Sequence, residues 1–63
     1  MSYYVIYVDG RRIREFDRED KEQFVRDTKY YCHRLVVLMY NQNHLNIGCE
    51  EYLDGRLIYK YKE

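Results

Sequence analysis

The chain has 63 residues, with 11 basic against 11 acidic side chains, zero formal net charge, 46% hydrophobic residues and nine tyrosines. That length allows a single domain, residues 1–63, close to the size below which a core needs a disulfide, a metal or a partner, so self-association is expected. Zero net charge excludes a long-range field drawing the chain to nucleic acid or anionic membrane, and nowhere do the roughly 18 apolar residues of a membrane span run together.

From the amino terminus, Ser2 to Val8 is rich in β-branched and aromatic residues and runs into Asp9-Gly10, a dipeptide favoured in tight hairpin turns. Met1 to Val8 has no basic segment and too short an apolar run for a signal peptide. Arg11 to Phe16 forms the return strand. A three-residue loop at Gly10 would put Tyr4, Ile6 and Val8 on one face with Arg12, Arg14 and Phe16; a two-residue turn would set Ile6 beside Ile13. The sequence leaves both registers open.

Asp17 is a good N-cap, and Glu19, Asp20 and Glu22 follow where the helix dipole favours acids. Phe24, Val25, Thr28, Tyr31, Cys32 and Leu35 then recur as one stripe of an amphipathic helix, predicted over about Arg18 to His33. Leu35 to Tyr40 has neither charge nor turn former. It reads as a strand covered on both faces, the one around which the rest is organised.

Asn41 to Asn43 is a polar turn, and after it Leu45, Ile47, Cys49 and Leu53 alternate with polar residues. If that turn has three residues, Tyr40 pairs with His44, and Leu45, Ile47 and Cys49 share the helix-covered face with Leu35, Val37 and Met39. Asp54-Gly55 makes a second hairpin into Arg56 to Tyr61, where the pattern favours a three-residue loop that pairs Tyr52 with Arg56 and puts Leu57, Tyr59 and Tyr61 on that face; Lys60 to Glu63 should fray. Phe24, Val25, Thr28, Tyr31 and Cys32 are then expected to pack on Leu45, Ile47, Cys49, Leu57 and Tyr59. The two hairpins share Tyr, Asp, Gly, Arg and Ile, a match too short to indicate a repeat. The expected fold is a small α+β domain of order β-β-α-β-β-β, mainly antiparallel, with one amphipathic helix packed on one face.

The chemistry-bearing residues are sparse. Cys32, His33, His44 and Cys49 are zinc-ligand types, but helix and strand parity point them apart, so no metal and no cofactor is expected. The same parity keeps a base from either thiol. One serine, one threonine and three scattered glycines exclude a serine triad and a phosphate-cradling loop, and the chain is not expected to be an enzyme. Cys32 and Cys49 read as free thiols of a reducing cytoplasm.

The expected function is non-enzymatic protein binding, as a small inhibitor or adaptor of the sparing kind that phage and viruses use, through an apolar, tyrosine-rich sheet face and as a homodimer. One helix covers one face. Val36, Leu38 and Tyr40 should therefore point out of the other, beside Tyr52 and Ile58. The alternative is single-stranded nucleic-acid binding by the first hairpin, with Tyr4 and Phe16 stacking bases while Arg12 and Arg14 hold phosphates. Interleaved Glu15, Asp17, Glu19 and Asp20 weigh against it.

Overall fold

The computed structural model describes residues 2–63. Its elements follow the expected order: β1 (Tyr3–Val8), β2 (Arg11–Phe16), α1 (Arg18–Thr28), β3 (Arg34–Tyr40), β4 (Asn46–Leu53) and β5 (Arg56–Lys62). All five strands pair antiparallel in one sheet of order β2-β1-β3-β4-β5, with α1 on one face, an α+β fold. β1 and β3 are neighbours at its centre. Tyr-Tyr-Val-Ile-Tyr-Val in β1 has the same two-sided apolar character as Leu35 to Tyr40, and for the same reason.

Both hairpins close with two-residue turns, pairing Val8 with Arg11 and Leu53 with Arg56, so Tyr52 faces Leu57 rather than the Arg56 expected from a three-residue loop. Asp9 and Asp54 take φ of 50° and 51°, and Gly10 and Gly55 take 86° and 85°, the left-handed pair that matches strand twist. Each return strand then bulges at the same point. Tyr7 pairs with Arg12 but Val5 with Glu15, and Tyr52 pairs with Leu57 but Glu51 with Tyr59. The short sequence match thus marks two hairpins built alike. The bulge also settles the first register: Tyr4 and Phe16 share the helix face, as the longer loop would have had it, while Tyr7 and Arg12 share the other.

Helix α1 starts as expected, Asp17 Oδ1 accepting from the Asp20 N–H at 2.8 Å. It ends at Thr28, five residues before the expected end at His33. Aromatic and β-branched residues from Thr28 onward favour the helix weakly, and tertiary hydrogen bonds claim the next backbone. Asp9 Oδ1 accepts from the N–H groups of His33 and Arg34 at 3.0 and 2.8 Å, while the Asp54 N–H donates to His33 O at 2.8 Å. Both turns therefore dock on the entry to β3. Tyr31, beyond the helix, is 88% exposed and no part of the core.

The β3–β4 register differs from expectation. Asn41 to Leu45 makes a longer loop, in which Asn41 Oδ1 accepts from the Asn43 and Leu45 N–H groups and His44 takes φ of 63°. Tyr40 pairs with Asn46, the ladder bulges, and Leu38 pairs with Cys49. Beyond the bulge the slip from the expected partner is odd, so the side chains of β4 from Gly48 onward change face. Gly48, Glu50 and Tyr52 lie on the helix side opposite Met39, Val37 and Leu35, while Cys49 and Glu51 lie on the other. The Asn46 amide donates to Met39 O and Gly48 O at 3.0 and 2.9 Å, satisfying carbonyls at the bulge.

The core consequently centres on β1 and β3. Ile6, Leu35 and Val37 are enclosed with Tyr4, Phe16 and Val25, and Phe24, Cys32 and Tyr52 pack against them. Phe24 meets Phe16 with ring centroids 4.8 Å apart. The expected packing of the helix on Leu45, Leu57 and Tyr59 is not formed: these are 61%, 49% and 53% exposed. β5 is exposed along its whole length, and its pairing extends to Lys62, past the Lys60 at which fraying is expected. Among the described residues no helix is long and apolar enough to cross a membrane.

Candidate functional site: the open face of the sheet

The sheet face away from α1 is built mainly by the two central strands. Leu35, Val37 and Met39 point toward the helix side, so Val36, Leu38 and Tyr40 point away, each half-buried. Pairing sets Tyr7, Val5 and Tyr3 of β1 directly beside them. On the other flank Glu51 pairs with Val36 and Cys49 with Leu38, and Tyr59 and Tyr61 of β5 continue those rows. Val5 is only 7% exposed although no helix covers it, because its neighbours on this face close around it.

The face has an apolar centre of Val5, Val36, Leu38 and Cys49. Around it stand Tyr3, Tyr7, Tyr40, Tyr59 and Tyr61. Tyr3 and Tyr40 stack with centroids 5.4 Å apart and an interplanar angle of 14°, and Tyr3 Oη is 2.9 Å from His44 Nδ1. Two ion pairs lie on this face: Arg34 Nε donates to Glu51 Oε2 at 2.8 Å, and Arg12 Nη2 lies 3.7 Å from Glu15 Oε2. An apolar centre, aromatic surroundings and a polar rim are the anatomy general to protein interfaces.

Of the residues expected here, Val36, Leu38 and Tyr40 lie together, and two others do not join them. Tyr52 is on the helix side, its hydroxyl donating to Glu50 Oε1 at 3.2 Å and its ring 5.7 Å from Lys29 Nζ. The odd register slip moved it there. Burial, and then Glu50 beside it, raise its pKa. Ile58 stands at the bulge of the outer strand β5, exposed and away from the central rows.

The alternative hairpin site loses its stacking surface. Tyr4 and Phe16 are 6% and 3% exposed, core residues on the helix side. Arg14 lays its guanidinium 3.8 Å above the Phe16 ring and Lys21 Nζ lies 4.9 Å from the Tyr4 ring, so cations occupy the positions where bases would stack. Arg12 is on the opposite face, paired with Tyr7.

The metal-ligand types are spread apart. Cys32 packs against the core, His33 pairs with Asp54 at 2.9 Å at the turn end, and His44 meets Tyr3 beyond the other end of β3. Among the described residues no group of three His, Cys, Asp or Glu could share a metal. Burial raises the pKa of Cys49, with Glu51 and Glu50 adding to it and Arg34 opposing; burial and then Asp9 raise that of Cys32. Both thiols are therefore held protonated near neutral pH, the reverse of an activated nucleophile.

Several open-face residues were missed from sequence: Tyr3, Val5, Tyr7, Cys49, Tyr59 and Tyr61. A signal for the first three was present, since an uncharged strand such as β1 has apolar side chains for two faces and one helix covers only one. No protein family matches the chain, and no curated protein or solved structure matches it either.

Proposed function

We propose that the chain is a non-enzymatic protein-interaction module, of the inhibitor or adaptor kind, that buries the open face of its sheet and does so first against a second copy of itself. The observation that carries this reading is the register of β3 and β4. It turns Cys49 toward the same uncovered face as Val36 and Leu38, among five tyrosines. Tyrosine offers wide amphipathic contact at small entropic cost, and burial of the apolar centre contributes about 25 cal/mol per Å² to association.

The sheet edges support association through the face rather than through strand addition. β2 carries Arg11, Arg12, Arg14 and Glu15, β5 carries Lys60 and Lys62, and both strands bulge, features that discourage edge pairing. The size of the molecule points the same way. Seven apolar residues are buried among the described residues, a small core to which an interface adds stabilisation.

Light scattering on purified wild type and Leu38→Glu tests the reading. A dimeric wild type and a monomeric variant with unchanged far-ultraviolet circular dichroism are expected. A wild type that stays monomeric at about 1 mM, the scale of very weak association, overturns the homodimer; saturable binding of a single-stranded oligonucleotide by that monomer would replace protein with nucleic acid as the ligand of this face.

A further inference from the structure

On the helix side, away from the open face, a cleft of about 180 Å³ lies between the first turns of α1 and the end of β5. Its floor is apolar, made by Tyr4, Val37 and Met39. Arg18 and Lys21 line it from the helix, and Lys60 and Lys62 from the strand. These four cations face only two carboxylates among the lining residues, Glu22 and Glu50. The chain as a whole is neutral, so this excess is a local concentration of charge.

The ion pairs inside the cleft leave that excess unspent. Glu50 is shared, Oε1 lying 3.5 Å from Lys21 Nζ and Oε2 4.0 Å from Lys60 Nζ. The Lys21 side chain is only 15% exposed, so its ammonium is held in a poorly hydrated setting with part of one carboxylate for compensation. Arg18 and Lys62 have no ion-pair partner among the described residues.

Gly48 supplies a second, independent observation. It is buried within β4, opposite Met39 and Lys62, and has no left-handed φ that would demand glycine. A Cβ there would stand 3.1 Å from Tyr61 O and 3.4 Å from Met39 Cβ, tightening the floor. Glycine weakens a strand interior, and its presence marks a bulge or a close approach. The neighbouring bulge accommodates its backbone, and the absent side chain keeps the cleft deep.

From this cleft we infer a binding site for a small phosphomonoester with an apolar body. Two uncompensated positive charges match a phosphate dianion; Arg18, Lys60 and Lys62 reach its oxygens from opposite walls, and the apolar body rests on Val37 and Met39. A carboxylate would neutralise half of the excess and accept fewer hydrogen bonds. The inference does not depend on the open face, which lies across the sheet.

Amide shifts of the ¹⁵N-labelled chain, titrated in parallel with phenyl phosphate, inorganic phosphate and benzoate, test it. Saturable shifts confined to 18–22, 48–50 and 60–62 are expected, with phenyl phosphate the tightest. Lys60→Gln combined with Lys62→Gln, both on an exposed strand, should weaken it about tenfold or more, the scale of a lost charged hydrogen bond, with the melting temperature unchanged. Shifts that remain linear to about 10 mM, or that appear equally at Arg11, Arg34 and Arg56, overturn the site. Benzoate binding as tightly as phenyl phosphate overturns the dianion assignment.

Discussion

Two aspartates in the same turn geometry do different jobs. Asp9 and Asp54 both take φ near 50°, so glycine would relieve the same backbone strain at either. Asp9 Oδ1, however, accepts two backbone N–H groups where β3 begins, whereas Asp54 Oδ1 meets only the exposed His33 ring. An ordinary hydrogen bond contributes about 0.5 to 1.5 kcal/mol net, and an exposed ion pair less. Asp9→Gly should therefore destabilise by about 2 kcal/mol, while Asp54→Gly stays within about 0.5 kcal/mol of wild type. Urea melts at pH 7 check this. Equal losses would mean that the Asp9 carboxylate does not hold the start of β3.

At the scale of elements, what was legible in the sequence was local. Asp17 marked the helix start, the Asp-Gly pairs marked both hairpins, and uncharged Leu35 to Tyr40 marked a central strand. What failed was pairing across a loop, because the sequence of β4 fits either face: Leu45, Ile47, Cys49 and Leu53 look like a core row, and they alternate with Glu50 and Tyr52. In the observed register Asn41 organises the loop and the Asn46 amide bridges two carbonyls across the bulge. Neither asparagine declares that role in advance. The helix was overextended for a related reason, since the bonds that end it come from Asp9 and Asp54, distant in sequence. For the candidate site, Val36, Leu38 and Tyr40 were readable because parity within one strand is local; Tyr52 was misplaced with its strand, and Tyr4 and Phe16 depended on a bulge. If Asn46 sets the register, Asn46→Ala should cost about 1 kcal/mol. Asn46→Asp should cost more, because it turns a carboxylate toward the Met39 and Gly48 carbonyls. Denaturant melts with amide exchange across 38–49 measure both, and an aspartate variant as stable as the alanine one would count against the bridging role.

For the whole molecule, the same sheet serves two opposite demands. Its helix side is enclosed by one short helix, and β5 lies beyond the reach of that cover, exposed on every residue. A neutral chain this small has little core to spare, and the half-buried apolar centre of its open face, with exposed Tyr59 and Tyr61 beside it, is surface that a second copy can bury. If two copies join through that face, folding and association are linked and stability depends on concentration. A tenfold rise in protein concentration adds about 1.4 kcal/mol per dimer, or about 0.7 kcal/mol per chain, which at this chain length raises the melting temperature by roughly 5 °C. Leu38→Glu places a carboxylate between Val5 and Cys49 at the middle of the contact, so the variant should melt lower and at one temperature whatever its concentration. Calorimetric melts at two concentrations tenfold apart decide the matter. A wild-type melting temperature that does not move with concentration would show that the open face contributes nothing to stability through a second copy.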